Sequence, residues 1–272
     1  YLRPEPDGTL LMTAPNDRRR RLLGALLPLV AASAGAAPLR ALAAPAPAPE
    51  REGAPLAAWQ PGWLDIHHIA TGRGNATFVM FPDGTSLLID AGASLNGLDV
   101  SVAPRPDGSR RPGEWIARYL RRHLGRAGLG GLDYLLATHL HPDHTGDVDA
   151  ASPLAAAGAW RLSGVTDVAE QIPIYAVIDR GFPDYDVPLR VDAPFATNYR
   201  AWIAARRKAG QRVEAFVVGS AAQIAARGHR PAATGFEVRN IAANGEVWTG
   251  QDSATRTLFP PLSSLARADW PN

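Results

Sequence analysis

The chain has 272 residues, enough for one large domain with its own hydrophobic core. It contains no cysteine, which excludes disulfide bonds and thiolate ligands and leaves histidine and carboxylate groups for any metal. The formal net charge is +2, and residues 1–43 account for +3 of it, which leaves −1 for the rest of the chain. A charge of that size gives the rest of the chain no overall attraction for nucleic acid.

Residues 1–43 have the pattern of upstream residues followed by an export signal peptide. After Met12, four consecutive arginines precede Leu22 and an alanine- and leucine-rich run follows. Paired arginines before leucines are typical of a twin-arginine signal, and an ordinary secretory leader is the alternative. Because the apolar run is short and interrupted by prolines, we expect no stable membrane anchor. The sequence therefore predicts a periplasmic or extracellular protein.

Residues 44–58 are rich in alanine and proline and predict a stiff linker, so we expect the folded domain over residues 59–272. Three predicted strands, separated by glycine or proline turns, open this domain. His67 and His68 are neighbours on the first strand and face opposite sides, so we interpret them as packing or surface residues. The strands cover residues 64–69, 76–81 and 86–90.

A loop and an amphipathic helix follow the three strands. Residues 93–112 are rich in glycine, proline, serine and arginine and predict the loop, and Pro112 begins the helix. Several arginines give the helix a basic outer face, which either contacts nucleic acid or is simply a solvated helix side. The apolar face contains Trp115, Ile116, Tyr119, Leu120 and Leu124.

A predicted buried strand over residues 132–138 ends in a cluster of ionisable side chains. In extended backbone the first two histidines of this cluster point the same way, and Pro142 then turns the chain so that the next two residues reach a neighbouring position. Such ligands suit Zn²⁺, with Mn²⁺ or Fe as alternatives, and two ions can share them. The alternative is a solvated, histidine-rich turn that binds no metal. The cluster consists of His139, His141, Asp143 and His144.

The string from His139 to His144 resembles the H-x-H-x-D-H signature of the metallo-β-lactamase superfamily. A second block, from Gly72 to Gly92, resembles the opening hairpin of the same fold. It is most similar to the metallohydrolase domain of the competence, DNA-internalisation proteins. Two positions of that branch's glycine-rich stretch are replaced here, by Arg73 and Asn75.

This resemblance implies an α+β protein with the four-layer αββα sandwich of the metallo-β-lactamase fold. It implies that the four clustered residues bind metal and that Asp143, beside a second metal, orients the attacking water. It also implies that Asp90 and Thr138 support the metal loop through hydrogen bonds. For Asp90, capping of the following turn is the alternative.

Further ligands are expected later in a chain of this family. His229 is a candidate metal ligand, and Asp252 loosely resembles the family's bridging aspartate, although each also suits an ordinary turn. The chain ends without a closing strand, so we expect the fold to be incomplete at the C-terminus.

The remaining segments predict a mixed order of helices and strands. Residues 179–186 contain three carboxylates and two aromatic rings, and they either line a substrate cleft or form an ordinary loop. Asn198 is expected to cap a helix. The other predictions are a short helix over 150–157 and strands over 174–178, 212–218 and 236–242.

Together these features predict an exported, metal-dependent hydrolase in which a metal-activated water attacks a phosphodiester or another ester. Its partner would be a small-molecule or ester substrate, and the sequence leaves the oligomeric state open. Hydrolysis of a β-lactam is one alternative. A metal-binding or scaffold protein without catalytic turnover is the other.

Overall fold

The computed structural model describes residues 55–72, 74–94, 105–231 and 235–267. They all belong to the unit Gly53–Asn272, one of two into which the chain divides. The predicted export signal, most of the predicted linker, part of the loop after the third strand and the last five residues lie outside the described residues. No helix among the described residues has the length and apolar character needed to span a membrane.

Six strands form one sheet, in which every strand lies beside the next strand along the chain. They are β1 Asp65–His68, β2 Thr77–Met80, β3 Ser86–Ile89, β4 Leu132–Ala137, β5 Ile174–Asp179 and β6 Arg212–Ala215. The first three pair antiparallel through short turns, which confirms the three predicted opening strands. The last three continue parallel to β3, so their carboxyl ends meet at one edge of the sheet.

Four helices connect the parallel strands. They are α1 Pro112–Arg126, α2 Pro142–Thr145, α3 Val165–Gln171 and α4 Pro194–Lys208. α1 begins at the predicted proline, whose fixed φ suits the first helical position. Proline lacks an N–H, but an N–H at this position would have no acceptor within the helix, so no hydrogen bond is lost. The Glu114 carboxylate accepts a hydrogen bond from the Arg111 N–H at 2.9 Å and helps to define this start.

Alternate strand residues point into two apolar clusters, one on each face of the sheet. Phe78 and Leu135 face the helices, whereas Tyr134 and Ile178 belong to the cluster on the opposite face. β4 and β5 are therefore buried on both faces, as is typical of parallel strands. Each fully buried large apolar side chain contributes about 1.5–3 kcal/mol, so these strands form a rigid base for whatever follows their carboxyl ends.

The predicted helix over residues 150–157 is wrong. The Asp149 carboxylate instead accepts hydrogen bonds at 2.9 Å from the backbone N–H groups of Ala151 and Ser152, which stabilises a turn. Short polar side chains compete in this way with the backbone bonds that a helix needs. Leu154 then forms an isolated antiparallel bridge with Arg161.

The start of α4 also differs from the prediction. The helix begins at Pro194, and Asn198 lies inside it rather than at its cap. The Asn198 side chain is used elsewhere, since its Oδ1 accepts from the Arg161 N–H at 2.6 Å and its Nδ2 donates to the Arg161 carbonyl at 3.0 Å. The tertiary contact with Arg161 therefore explains why an asparagine lies inside the helix.

The predicted strand over residues 236–242 is replaced by a small antiparallel sheet of three short strands. These are β7 Ala242–Ala243, β8 Glu246–Trp248 and β9 Thr255–Thr257, and a 3₁₀ turn over Leu262–Ser264 follows. Asn244 and Gly245 connect β7 to β8 with φ angles of 52° and 77°, the left-handed pair that a type I′ hairpin turn requires. The four-layer sandwich stays a prediction.

Two histidines are packed together between β1 and α1. The rings of His67 and His123 lie 4.5 Å apart, and the His67 Nδ1 lies 2.8 Å from the Tyr119 hydroxyl. Burial lowers the pKa of both imidazoles. The pKa of His123 falls to about 4, and the nearby charges of His67, Arg126 and Arg122 lower it further by a smaller amount than burial does. His67 is thus a packing residue, as the sequence predicted.

We expect the free energy of unfolding to decrease as the pH falls from 6.5 towards about 4. In this window the unfolded state protonates His123 and the folded state does not, so protons favour unfolding. One pKa unit corresponds to about 1.4 kcal/mol, and with solvent screening we expect a total loss on the order of 2 kcal/mol. Urea unfolding at about pH 7 and about pH 5 measures this loss in the free energy of unfolding.

His123→Phe is expected to flatten this pH dependence, because phenylalanine fills the site without binding a proton. His68→Ala is the matched control, since His68 is exposed on the same strand as His67 and should leave the pH dependence unchanged. An equal pH dependence in His123→Phe and the wild type would contradict the assignment.

Candidate metal centre

The ionisable cluster lies at the sheet edge where the carboxyl ends of β3, β4 and β5 meet. After β4 ends at Ala137 the chain bends at Leu140, where the His141 N–H donates to the His139 carbonyl at 3.2 Å, and Pro142 begins the short helix α2. Two histidines therefore lie on the segment between strand and helix, and two further donors, Asp143 and His144, come from the helix. The predicted strand end and proline turn are both present.

The structure brings all four predicted ligands together. The ring of His139 lies 4.7 Å from that of His141 and 3.9 Å from that of His144, measured between centroids. The Oδ2 of Asp143 lies 3.7 Å from the Nε2 of His144. Burial, and the two neighbouring imidazoles, lower the pKa of His139, which favours the neutral ring that a metal ligand must provide.

Asp90 is the fully buried residue that orients this cluster. Its Oδ2 lies 2.7 Å from the His144 Nδ1 and accepts a 2.7 Å hydrogen bond from the Thr138 hydroxyl, while its Oδ1 accepts from the Thr138 N–H at 2.8 Å. The Asn75 amide also donates to Oδ2, at 3.1 Å. A carboxylate at the Nδ1 makes that nitrogen the donor, so the Nε2 of His144 keeps a free lone pair.

The backbone of the motif loop is bonded to the opening hairpin. The carbonyl of Asp143 accepts from the Asn75 N–H at 2.8 Å, and that of His144 accepts from the Ala91 N–H at 2.9 Å. Gly92 permits this approach, because a Cβ there would lie only 1.9 Å from the Asp143 carbonyl oxygen. The two sequence blocks that carry the family resemblance are therefore one structural unit.

The donors fit a metal ion in chemical type, and one pair also fits in spacing. Two ligands of a tetrahedral zinc ion lie about 3.3 Å apart, close to the separation of the Asp143 and His144 donor atoms. Within the described ranges, however, no group of three or more His, Asp or Glu side chains is already closed around one point.

The structure does not bring the two later candidates to the cluster. His229 Nε2 lies 2.9 Å from the Asp133 carboxylate at the amino end of β4, roughly 20 Å along the strand from His139. Asp252 is exposed beside β8, and its backbone carbonyl accepts hydrogen bonds from Arg239 and Trp248. Both are local structural residues in this fold.

A cleft of about 1080 Å³ opens beside His139 and His141. The loop after β5 forms one wall, so the carboxylate-rich segment that begins at Asp179 does line a cleft. Asp179 itself is buried and accepts 2.7 Å hydrogen bonds from the Tyr185 hydroxyl and the Gly181 N–H. Its burial raises the pKa of its carboxyl group, and burial likewise raises that of Tyr185.

The turn between β7 and β8 also lines the cleft, through Asn244 and Gly245. The sequence interpretation missed these residues. The available signal was the Asn-Gly pair, which is the strongest local indication of a tight hairpin. Such a signal predicts the turn, but its position beside the cleft depends on tertiary packing.

Imidazole and carboxylate groups at strand ends, oriented by a buried aspartate, are typical of the metal loop of a metallohydrolase. Residues 70–161, about a third of the chain, match the family model of the metallo-beta-lactamase superfamily. The matched segment contains Asp90 and all four predicted ligands, and similarity to this superfamily suggests a metal-dependent hydrolase. A comparison with curated proteins found no significant match.

Proposed function

We propose that the chain is a metal-dependent hydrolase of phosphodiesters or other esters. The observation that carries this proposal is the grouping of three imidazole rings and a carboxylate at one sheet edge, with His139 and His141 lining a large cleft. A cleft of this size accommodates an organic substrate beside the predicted metal ligands.

Several finer features belong to the same proposal. Zn²⁺ is the proposed ion, because neutral imidazoles and one carboxylate are ligands that zinc prefers. The resemblance of both motif blocks supports the four-layer sandwich and room for a second ion. The pattern of residues 1–43 supports export, which would place the hydrolase in the periplasm or outside the cell.

The chain's own residues would prepare the site for catalysis. His139, His141, Asp143 and His144 would hold the ion, which when bound supplies a Lewis acid and a water acidic enough to attack near neutral pH. Asp90 holds His144 in the tautomer that leaves Nε2 able to bind. The Asp143 side chain is 42% exposed and lies 3.7 Å from the His144 Nε2, so its carboxylate would accept a hydrogen bond from a water beside the ion and orient it.

The test is a comparison of metal content and turnover on the purified chain with three chromogenic substrates. They are bis(p-nitrophenyl) phosphate, p-nitrophenyl butyrate and a chromogenic cephalosporin. We expect bound zinc and turnover of at least one of the first two, with turnover lost in a chelator and restored by zinc. Bound metal without any turnover would favour a binding protein, and turnover of the cephalosporin alone would favour a β-lactam hydrolase.

A further inference from the structure

Arg180 is a cation held at a defined position in the cleft. It directly follows Asp179 at the carboxyl end of β5, and its side chain is partly buried. Its Nη1 donates to the Asn244 Oδ1 at 2.8 Å, and the Asn244 Nδ2 donates to the Arg180 carbonyl at 3.0 Å. This reciprocal pair ties the guanidinium to the hairpin turn between β7 and β8.

The charge of Arg180 is only partly balanced by the protein around it, through electrostatic attraction to the buried Asp179 carboxylate. Among the described residues no carboxylate forms a salt bridge with this guanidinium. The adjacent Asp179 carboxylate already accepts from Tyr185 and Gly181, and the Asp184 carboxylate accepts from a backbone N–H of its own loop. Since desolvating a cation is costly without a partner, the site favours an anion supplied by a ligand.

Arg180 also lies close to the predicted metal ligands. Arg180 lines the same cleft as His139 and His141. An anionic group held by Arg180 would therefore place the rest of the ligand next to the motif histidines.

Apolar side chains form part of the cleft wall. Val187 and Phe259 line the cleft and are 65% and 49% exposed. Exposed apolar side chains in a cleft are typical of a ligand-binding groove. Phe182, Leu189 and Leu262 line the same cleft.

We infer that the cleft binds amphipathic anions, with Arg180 and Asn244 holding a phosphate or carboxylate group and the apolar wall holding an aromatic or alkyl body. This inference rests on the proposed function and names its substrate class: an ester that carries its own negative charge beside an apolar group. Neutral esters of the same size would bind less tightly.

The binding test uses 1-naphthyl phosphate, its neutral analogue 1-naphthol and inorganic phosphate, measured by calorimetry on the full chain in the presence of a chelator. The chelator removes any contribution of a metal to phosphate binding. We expect 1-naphthyl phosphate to bind roughly tenfold or more tightly than 1-naphthol, since a charged hydrogen bond adds at least that much. Inorganic phosphate alone should bind most weakly.

Arg180→Gln should remove the preference for the anion and leave the affinity for 1-naphthol unchanged. Arg190→Gln is the matched control, because Arg190 is in the same loop region but pairs with Asp186 and Asp192 at the surface. Phe259→Ala should weaken both naphthyl probes by a similar factor. Circular dichroism of each variant checks that the chain is folded.

The kinetic test separates this inference from the proposed function. For bis(p-nitrophenyl) phosphate, Arg180→Gln should raise KM roughly tenfold with a smaller change in kcat, and the KM for neutral p-nitrophenyl butyrate should change much less than that for the anionic ester. An anion preference that survives in Arg180→Gln, or its absence in the wild type, would overturn the inference. A wild type that prefers the anion but hydrolyses no ester would overturn only the proposed function.

Discussion

Replacing both His139 and His141 with alanine should lower ester turnover by about 10³-fold or more. The double variant removes two of the three clustered imidazoles, and the remaining carboxylate and histidine are too few to hold an ion tightly. Zinc content, measured by atomic absorption after dialysis, should fall from near stoichiometric to background. The fold should survive, because both side chains are only partly buried.

His229→Ala is the control for this pair, since His229 pairs with Asp133 at the amino end of β4, away from the cluster. It should leave zinc content and turnover at the wild-type level. If the double variant kept its zinc and its turnover while remaining folded, the metal centre would have to lie elsewhere in the protein.

Asp90→Ala should destabilise the protein by about 3–5 kcal/mol, the largest effect on stability that we expect from a single substitution. The change leaves the buried N–H and hydroxyl of Thr138, the Asn75 amide and the His144 ring without their common acceptor. Alanine would also have to adopt the left-handed φ of 59° at this position, which costs about 1 kcal/mol. Urea unfolding near neutral pH measures the loss.

Asp90→Asn separates the stabilising role of this residue from its effect on the metal loop. Asparagine tolerates a left-handed backbone conformation and keeps one acceptor oxygen, so the loss of stability should be smaller. The new amide disfavours the Nδ1–H tautomer of His144, and we expect zinc affinity to fall about 10- to 100-fold. Nitrogen NMR of His144 reports the change of tautomer.

Asp83→Asn is the matched control for that substitution. Asp83 is also buried, and it accepts hydrogen bonds from Thr85 and Gly228 in the turn at the opposite end of β3. Its replacement should cost stability without changing zinc affinity. Equal zinc affinity in Asp90→Asn and the wild type would show that Asp90 has no role in orienting the metal ligands.

The strongest sequence predictions concern features that are local along the chain. The apolar run of β4, the proline at the start of α1 and the turns of the opening hairpin each depend on a few neighbouring residues, and each is present. The helix predicted over residues 150–157 is wrong because an alanine-rich composition does not outweigh a turn stabilised by Asp149. At Asn198 a partner 37 residues away outweighed the usual preference for a cap.

The candidate site likewise combines residues that are close in sequence, which could be predicted, with residues from distant positions, which could not. His139, His141, Asp143 and His144 are neighbours in sequence, so backbone geometry alone brings them to one edge of the sheet. Asp90 joins them from 54 positions away, through its hydrogen bond to His144. His229 had a suitable side chain, but the packing of its loop against β4 pairs it with Asp133.

The sequence by itself determined the chemistry that is available: imidazoles and carboxylates without thiolates, placed at the end of a buried strand. Only the tertiary structure decided which distant groups complete that chemistry. Arg180 and Asn244 are 64 residues apart and meet because a parallel strand end and a hairpin turn border the same cleft. Residues close in sequence are constrained by bond geometry, whereas distant residues meet only where burial of the core brings their strands and loops together.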